Sequence, residues 1–402
     1  MTDPTASPAS PTSIESATTP PPLRVLHIVA AGEFGGAEAQ ILALVRELTQ
    51  RSVAVFVATF YDAELTRRLQ ASGIATQALR SRLPLQDYIQ VKKITVRFAP
   101  HVIHTHGVRA SLAGRSVGEV LGIPVVTTVH SDLHHDYAQP LKRAFMMALE
   151  HISRDRSARV IAVSKALAAV LMERGYSGNQ VVTIPNGLDL EQARQALWAA
   201  QQQPARIRER LDLLPNAYLL ITVARLQAVK NLPFLVRALA GLQGVDGCPV
   251  HLLLVGDGPA RAALERQADN LAADEGTRRV HLLGERHDVA ALLAEADVFV
   301  LPSVMEGMPI SILEAMHSGL PVVASRVGGI PDLVVEGNSR ATGVLFPVND
   351  DAALRTALRR VLSASDWRRQ MKENAQARVT QALSMGSAAE KTRRLYEIVT
   401  KS

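Results

Sequence analysis

Short apolar runs recur along this chain, separated by stretches in which apolar positions return every three or four residues. The runs suit strands buried on both faces and the intervening stretches suit helices that cover them, so the pattern predicts parallel α/β sheets. RVLHIVA, AVFVATF, HVIHTH, VVTTVH, RVIAVS and VVTIPN mark strands in the first half, and YLLITVA, VHLLLVG, RVHLLG, VFVLPS and PVVAS mark them in the second. Between the halves lies EQARQALWAAQQQPARIRERLDLLPN, helical in pattern, charged and interrupted by Pro204. A proline breaks a helix interior. We therefore expect a tail over 1–22, a first domain over 23–190, a linker over 191–215, a second domain over 216–384 and a closing helix over 385–402.

Composition agrees with two doubly wound domains. A chain of 402 residues can bury two substantial cores. Its 47% hydrophobic and 4% aromatic content describes an enzyme rich in Ala, Leu and Val. No apolar run approaches the roughly 20 residues of a membrane-spanning helix. The Pro/Ser/Thr-rich start, with neither a basic opening nor an apolar stretch, reads as a disordered tail and not a signal peptide. Cys248 stands alone, which leaves no internal disulfide and fits a reducing cytoplasm.

Candidate chemistry concentrates in EGMPISILEAMHSGLPVV, where Glu306 and Glu314 bracket a short apolar segment. Pro309 suits the first position of a helix. The amides of Ile310, Ser311 and Ile312 would then be unpaired donors at a positive helix end, ready for phosphate. Carboxylates beside such a pocket suit hydroxyls of a sugar or a ribose, so the pair fits a nucleotide sugar. A capped helix with two solvated glutamates is the plainer alternative. Arg225 and Lys230 follow the strand LLITVA, at the end where open α/β sheets bind ligands. Arginine grips phosphate oxygens with a fork and lysine adds a mobile charge. Either cation alone reads as a solvated surface charge; together, about eighty residues before an acidic pair at a helix start, the two make a diphosphate clamp.

These segments, with GEFGGAE, VVTTVHS, VIAVSKAL, TIPNGLDL, LLLVGDGP, LLGERHDV and GLPVVASRVGGIPDLV, resemble the GT4 class of retaining glycosyltransferases. The likeness runs over nearly the whole chain after residue 22. It implies the GT-B architecture: two Rossmann-like domains facing a central cleft, nucleotide sugar on the second, acceptor on the first, and a last helix that crosses back. It further implies transfer of a hexosyl unit, with UDP-sugar favoured by family frequency, to a hydroxyl of a glycan or lipid-linked acceptor in polysaccharide, lipopolysaccharide or glycolipid synthesis. No metal or other cofactor is expected. Arg225, Lys230 and the amides after Pro309 would supply the positive potential. A nucleotide-sugar epimerase of similar architecture and an inactive nucleotide-sugar-binding protein are the other readings.

By the same resemblance, Glu306 would hold sugar hydroxyls, Glu314 the ribose, and Gly35 and Gly36 a loop beside the donor phosphates. Glycines permit close backbone approach, and a simple tight turn is the alternative. His130 ends the strand VVTTV and faces the cleft, where the family places a histidine near the transferring sugar. Asp257 lies in a glycine-bracketed turn, and Glu285 and Arg286 in the segment that reads the base. Asn186, Gly187 and Asp189 read as a structural turn. Asp132, His134, His135 and Asp136 match no zinc spacing. His104 and His106 alternate on a strand and carry no assigned role.

Charge adds a softer expectation. Residues 23–190 hold 19 Lys/Arg against 13 Asp/Glu and the remainder is balanced, so the whole net charge of +6 sits in the first domain. PLQDYIQVKKITVRF reads as a helix with Leu85, Ile89 and Val96 on one side and Lys92, Lys93 and Arg97 as a basic set, flanked by Arg80 and Arg82. Two readings stand: contact with an anionic membrane surface from the cytoplasmic side, or a helix whose apolar side packs on the core. No aromatic-interleaved basic surface suggests nucleic acid.

Overall fold

The structure is a computed structural model that describes residues 22–30, 34–81, 83–132, 134, 139–242, 244–337 and 339–401. The expected tail to residue 21, together with Arg82, His135 and Asp136, lies outside the described residues.

Two parallel sheets organise the chain. The first contains β1 (Arg24–Val29), β2 (Ala54–Thr59), β3 (Ala75–Ala78), β4 (Val102–His106), β5 (Val125–Val129), β6 (Arg159–Ala162) and β7 (Val181–Thr183), in the order β3-β2-β1-β4-β5-β6-β7. The second contains β8 (Tyr218–Val223), β9 (Gly244–Val245), β10 (Cys248–Val255), β11 (Val280–Gly284), β12 (Val298–Leu301), β13 (Val322–Ser325) and β14 (Gly343–Phe346). Its parallel path is β11-β10-β8-β12-β13-β14, with β9 a short antiparallel addition to β10. Each sheet reverses its winding direction beside its first strand, at β1/β4 and at β8/β12, and such switch points leave crevices at the strands' carboxyl ends. The central strands are near-continuous apolar runs because helices cover both faces: Leu219, Leu220 and Ile221 of β8 and Leu252, Leu253 and Leu254 of β10 are all buried.

Residues 191–215, expected as a linker, hold most of the helix Leu190–Gln202 and the turn Ile207–Arg210. Asp189 caps that helix by accepting from the Gln192 amide, and the helix packs on Val289–Glu295 of the second domain. The final helix, Met385–Val399, packs instead on Gly36–Gln50 of the first domain, burying Ala389, Leu395 and Tyr396. The two crossings touch. The Leu188 amide donates to the Leu383 carbonyl and the Met385 amide to the Leu188 carbonyl, both at 2.8 Å. Gly187 lies so close to this bridge that a Cβ there would sit 2.5 Å from the Ser384 carbonyl, and the Gln40 amide both donates to and accepts from the Gly187 backbone.

One face of the first sheet carries the helices Pro84–Phe98, Val108–Leu121 and Pro140–Ser153 side by side. On Pro84–Phe98, Val91 and Ile94 turn inward while Leu85, Ile89 and Val96 are exposed. The sequence alternative in which those three pack on the core is thus not the observed one. Among the described residues no helix is long and apolar enough to cross a membrane.

Candidate active site

The switch points of the two sheets face each other across a closed cleft. After β12, the loop 302–309 leads into the helix Ile310–His317. Pro309 is the cap residue, with φ −74° and ψ 122°, one place before the first-turn position its chemistry suggested, so Ile310 opens the helix. Ile310, Ser311 and Ile312 therefore form the first turn, whose amides have no acceptor within the helix. Proline suits this cap because its φ is already set and the extended residue needs no amide of its own.

Lys230 ends a short 3-10 turn, Ala228–Lys230, that follows β8. Its Nζ donates to Glu306 Oε1 at 2.6 Å, and Ser303 Oγ donates to the same oxygen at 2.6 Å. The Glu306 carboxylate is almost wholly shielded, so it is held in one place as a paired acceptor. The Val304 amide bonds the Val229 carbonyl at 2.9 Å and the Leu226 amide bonds the Asp257 carbonyl at 2.8 Å, which ties together the loops after β8, β10 and β12. Arg225 is exposed at the edge of this assembly. Asp257 is exposed and engaged with its own loop, accepting from the Gly258 amide and pairing with Arg261. Arg286 is clasped by both oxygens of Asp288, which keeps its guanidinium charged and occupied. Glu314 lies half-buried on the helix, and burial pushes its carboxyl up to about 7.

From the first domain, His130 follows β5 and meets this loop directly. A Cβ at Gly307 would lie 1.9 Å from the His130 carbonyl oxygen, so only glycine fits there in the closed form. Asn186 donates to the Met308 carbonyl at 3.1 Å, and the Lys165 amide donates to Asp332 at 2.7 Å. Gly36 sits beside Ile310, 3.5 Å from where its Cβ would be. The glycine pair departs from expectation in one respect. Gly35 is extended, at φ −152°, and Gly36 is the first helical residue, so neither uses the left-handed backbone that glycine alone favours. Their small size matters instead, where the helix start approaches the opposite domain.

His130 is neutral, its pKa lowered to about 4 by burial. Among the described residues its Nδ1 is buried without a hydrogen-bond partner, and its Nε2 lies 3.2 Å from His106 Nδ1. It borders a cavity of about 680 Å³ whose walls include Ile41, Val108, Met147, Leu171 and Tyr176. Ala148 and Ile152 of the helix Pro140–Ser153 line the cavity and are also exposed, so it opens along that helix.

The structure thus brings Lys230, Glu306, His130, Gly36 and Ile310 together, while Asp257 and Arg286 are engaged with neighbours of their own. Sequence reasoning overlooked Ser303 and Asp332, whose roles are fixed by partners 3 and 167 positions away, and it read Asn186 only as part of a turn, without its partner 122 positions away. It gave no role to His104 and His106, which join His27 so that ligand nitrogens of the three lie within 4.8 Å of one another. Asp132 accepts from the His134 amide and pairs with Arg174, so these residues serve the loop.

A family described as "Glycosyltransferase Family 4" matches residues 34–192, and "Glycosyl transferases group 1" matches 217–364. An Escherichia coli UDP-Gal:alpha-D-GlcNAc-diphosphoundecaprenol alpha-1,3-galactosyltransferase is 29% identical over 69% of this chain and 70% of its own length. A Bacillus anthracis N-acetyl-alpha-D-glucosaminyl L-malate synthase is 29% identical over 83% and 78%. Among solved structures, Anabaena HepE, crystallised with UDP and with UDP-glucose, superposes with a TM-score of 0.77 at 21% identity, covering 93% of this chain and all or nearly all of its own.

Proposed function

Because this chain belongs to the group 1, family 4 glycosyltransferases and has their GT-B fold, we propose that it moves a hexosyl unit from a UDP-sugar to a lipid-linked hydroxyl acceptor, with retention at the anomeric carbon. The observation that carries this reading is the Lys230–Glu306 pair at the carboxyl ends of β8 and β12, held against His130 across the cleft. Diphosphate departure needs positive potential already in place. Arg225, Lys230 and the amides of Ile310, Ser311 and Ile312 supply it, with no step assigned to a metal. Glu306 holds sugar hydroxyls and Glu314 the ribose. Neutral His130 hydrogen-bonds the sugar near its anomeric centre. The acceptor hydroxyl attacks from the face the diphosphate leaves, and the leaving phosphate takes its proton.

Relatives support the substrate classes. The E. coli relative uses UDP-Gal and a diphosphoundecaprenol-linked sugar, and an Arabidopsis relative, 29% identical over 68% of this chain, is a sulfoquinovosyl transferase. The apolar cavity beside His130 suits an acceptor with a hydrocarbon portion, which an epimerase would not require. Work at the inner face of an anionic membrane follows from the same acceptor class.

A thermal-shift screen with UDP, GDP, ADP and their sugar conjugates, with chelator present, tests the donor. At a hundred times its dissociation constant a ligand adds about 2.7 kcal/mol. We expect a shift with the uridine set that survives chelator and is lost in Arg225→Ala. A shift with another base alone would replace UDP, and no shift with any would remove the preformed donor site.

A further inference from the structure

The cleft histidine ends a chain of buried hydrogen bonds that the reaction as described leaves unused. His27 on β1 stands opposite His104 on β4 in the sheet register, and His106 lies two residues on, so all three share one face. That face is covered by the final helix, which brings in Tyr396. Five contacts follow in series. Thr128 Oγ1 lies 2.7 Å from His104 Nε2, His104 Nδ1 lies 2.5 Å from Tyr396 Oη, and Tyr396 Oη lies 3.4 Å from His27 Nε2. His27 Nδ1 is 3.1 Å from His106 Nε2, and His106 Nδ1 is 3.2 Å from His130 Nε2. Beyond that, His130 Nδ1 stands buried with no partner among the described residues, on a residue that borders the cavity.

Each neutral imidazole has one donor and one acceptor nitrogen, so the protons along such a chain must all point the same way. Burial keeps the rings neutral. The direction can be read at Tyr396. O–H donors approach acceptors more closely than N–H donors do, about 2.7–2.8 Å against 2.9–3.0 Å. The 2.5 Å contact is therefore the hydroxyl donating to His104 Nδ1, and the longer one is His27 Nε2–H donating to the tyrosine. His106 Nε2–H then donates to His27, and His130 Nε2–H donates to His106. His130 is left with a bare Nδ1.

We propose that Tyr396, His27, His104 and His106 are positioning residues that hold His130 in the tautomer whose Nδ1 accepts a hydrogen bond, so that it receives a hydroxyl of the sugar or the acceptor. This rests on the reading above that His130 touches substrate. The chain also links the site to the final helix, which enters directly from the crossing at Ser384–Met385. Each ring nitrogen of His27, His104 and His106 already has a polar neighbour in one another, Tyr396, Thr128 or His130, so the arrangement is a hydrogen-bonded chain.

Nitrogen-15 NMR of the histidine rings in the whole protein reads the tautomers. We expect an unprotonated Nδ1 at His130 in the unsubstituted protein. In Tyr396→Phe, which keeps the ring and removes the hydroxyl, we expect mixed tautomers at His130 and a kcat about tenfold lower with donor KM little changed. His27→Gln should do the same if the phenylalanine variant fails to fold. A protonated Nδ1 in the unsubstituted protein overturns the chain's direction, and one bound metal per chain after dialysis overturns the chain itself. Full activity in His130→Ala would instead remove His130 from the site, sinking the substrate reading while leaving the measured tautomer in place.

Discussion

At the residue scale, the site turns on two glutamates in opposite circumstances. Glu306 is tied to Lys230 and Ser303. Removing it leaves Lys230 without its anion, so Glu306→Ala should reduce kcat by about a hundredfold or more, the usual cost of losing one preorganised group. Donor binding should fall much less, and equal losses of rate and binding would remove Glu306 from the transferring sugar. Lys230→Ala should weaken UDP binding, measured calorimetrically, and an unchanged dissociation constant would take it out of the clamp. Glu314 differs because burial holds its carboxyl at about 7, well above the ordinary 4.5. Between those values the folded protein binds a proton that the unfolded chain has released. Stability from this group is full below pH 4.5 and is lost as pH rises through 7, by up to about 3 kcal/mol. Glu314→Gln should abolish that slope in pH-dependent thermal melts. If ribose hydroxyls are held by the carboxylate, nucleotide binding should tighten from pH 6 to 8 in the unsubstituted protein and not in the variant.

At the scale of elements, the strands were legible where they carry an apolar run, the edge strands β7 and β11 included, and illegible where they do not. β1 and β4–β6 read directly as apolar runs because helices bury both their faces, and β2 and the partly buried edge strand β7 were legible from their valines. The edge strand β3, Ala75–Thr76–Gln77–Ala78, has alternately exposed residues and no apolar run, and β14 is short and opens on Gly343, so neither announced itself. The helix at Ile310 was legible from Pro309 within one position. Gly307 was not, because its requirement comes from the other domain: a Cβ there would clash with the His130 carbonyl. The histidine chain was hidden for a similar reason, since Tyr396 is 292 positions from His104. Gly307→Ala should therefore disturb the meeting of the domains and not either core, keeping its melting temperature within about 2 °C yet losing most of its kcat/KM. A large drop in melting temperature would mean that the closed form is needed for folding itself.

At the scale of the molecule, one surface is left unexplained by folding. Leu85, Ile89 and Val96 on the helix Pro84–Phe98, and Leu141, Phe145 and Ile152 on Pro140–Ser153, are exposed on helices that flank Val108–Leu121 over the same sheet face. Phe145 is 62% exposed and Leu141 87%. The domain that carries this surface also holds the chain's entire excess of basic residues, with Lys93 and Arg97 exposed on the first helix. Apolar side chains beside cations are what an anionic bilayer surface binds. The cavity beside His130 opens along the second helix, so docking would present its mouth to the lipid in which a polyprenyl or acyl tail resides. Each basic residue near such a surface contributes about 1 kcal/mol, screened by salt. The protein should therefore co-sediment with phosphatidylglycerol vesicles and not with phosphatidylcholine vesicles, and less so at high salt. Replacing Lys93 and Arg97 by Gln should weaken vesicle binding by roughly tenfold or more. Leu141→Ser with Phe145→Ser should weaken it as well, and neither variant should alter the thermal shift given by the nucleotide. Equal and negligible sedimentation with both vesicles would end the membrane reading and leave the apolar surface for a partner protein.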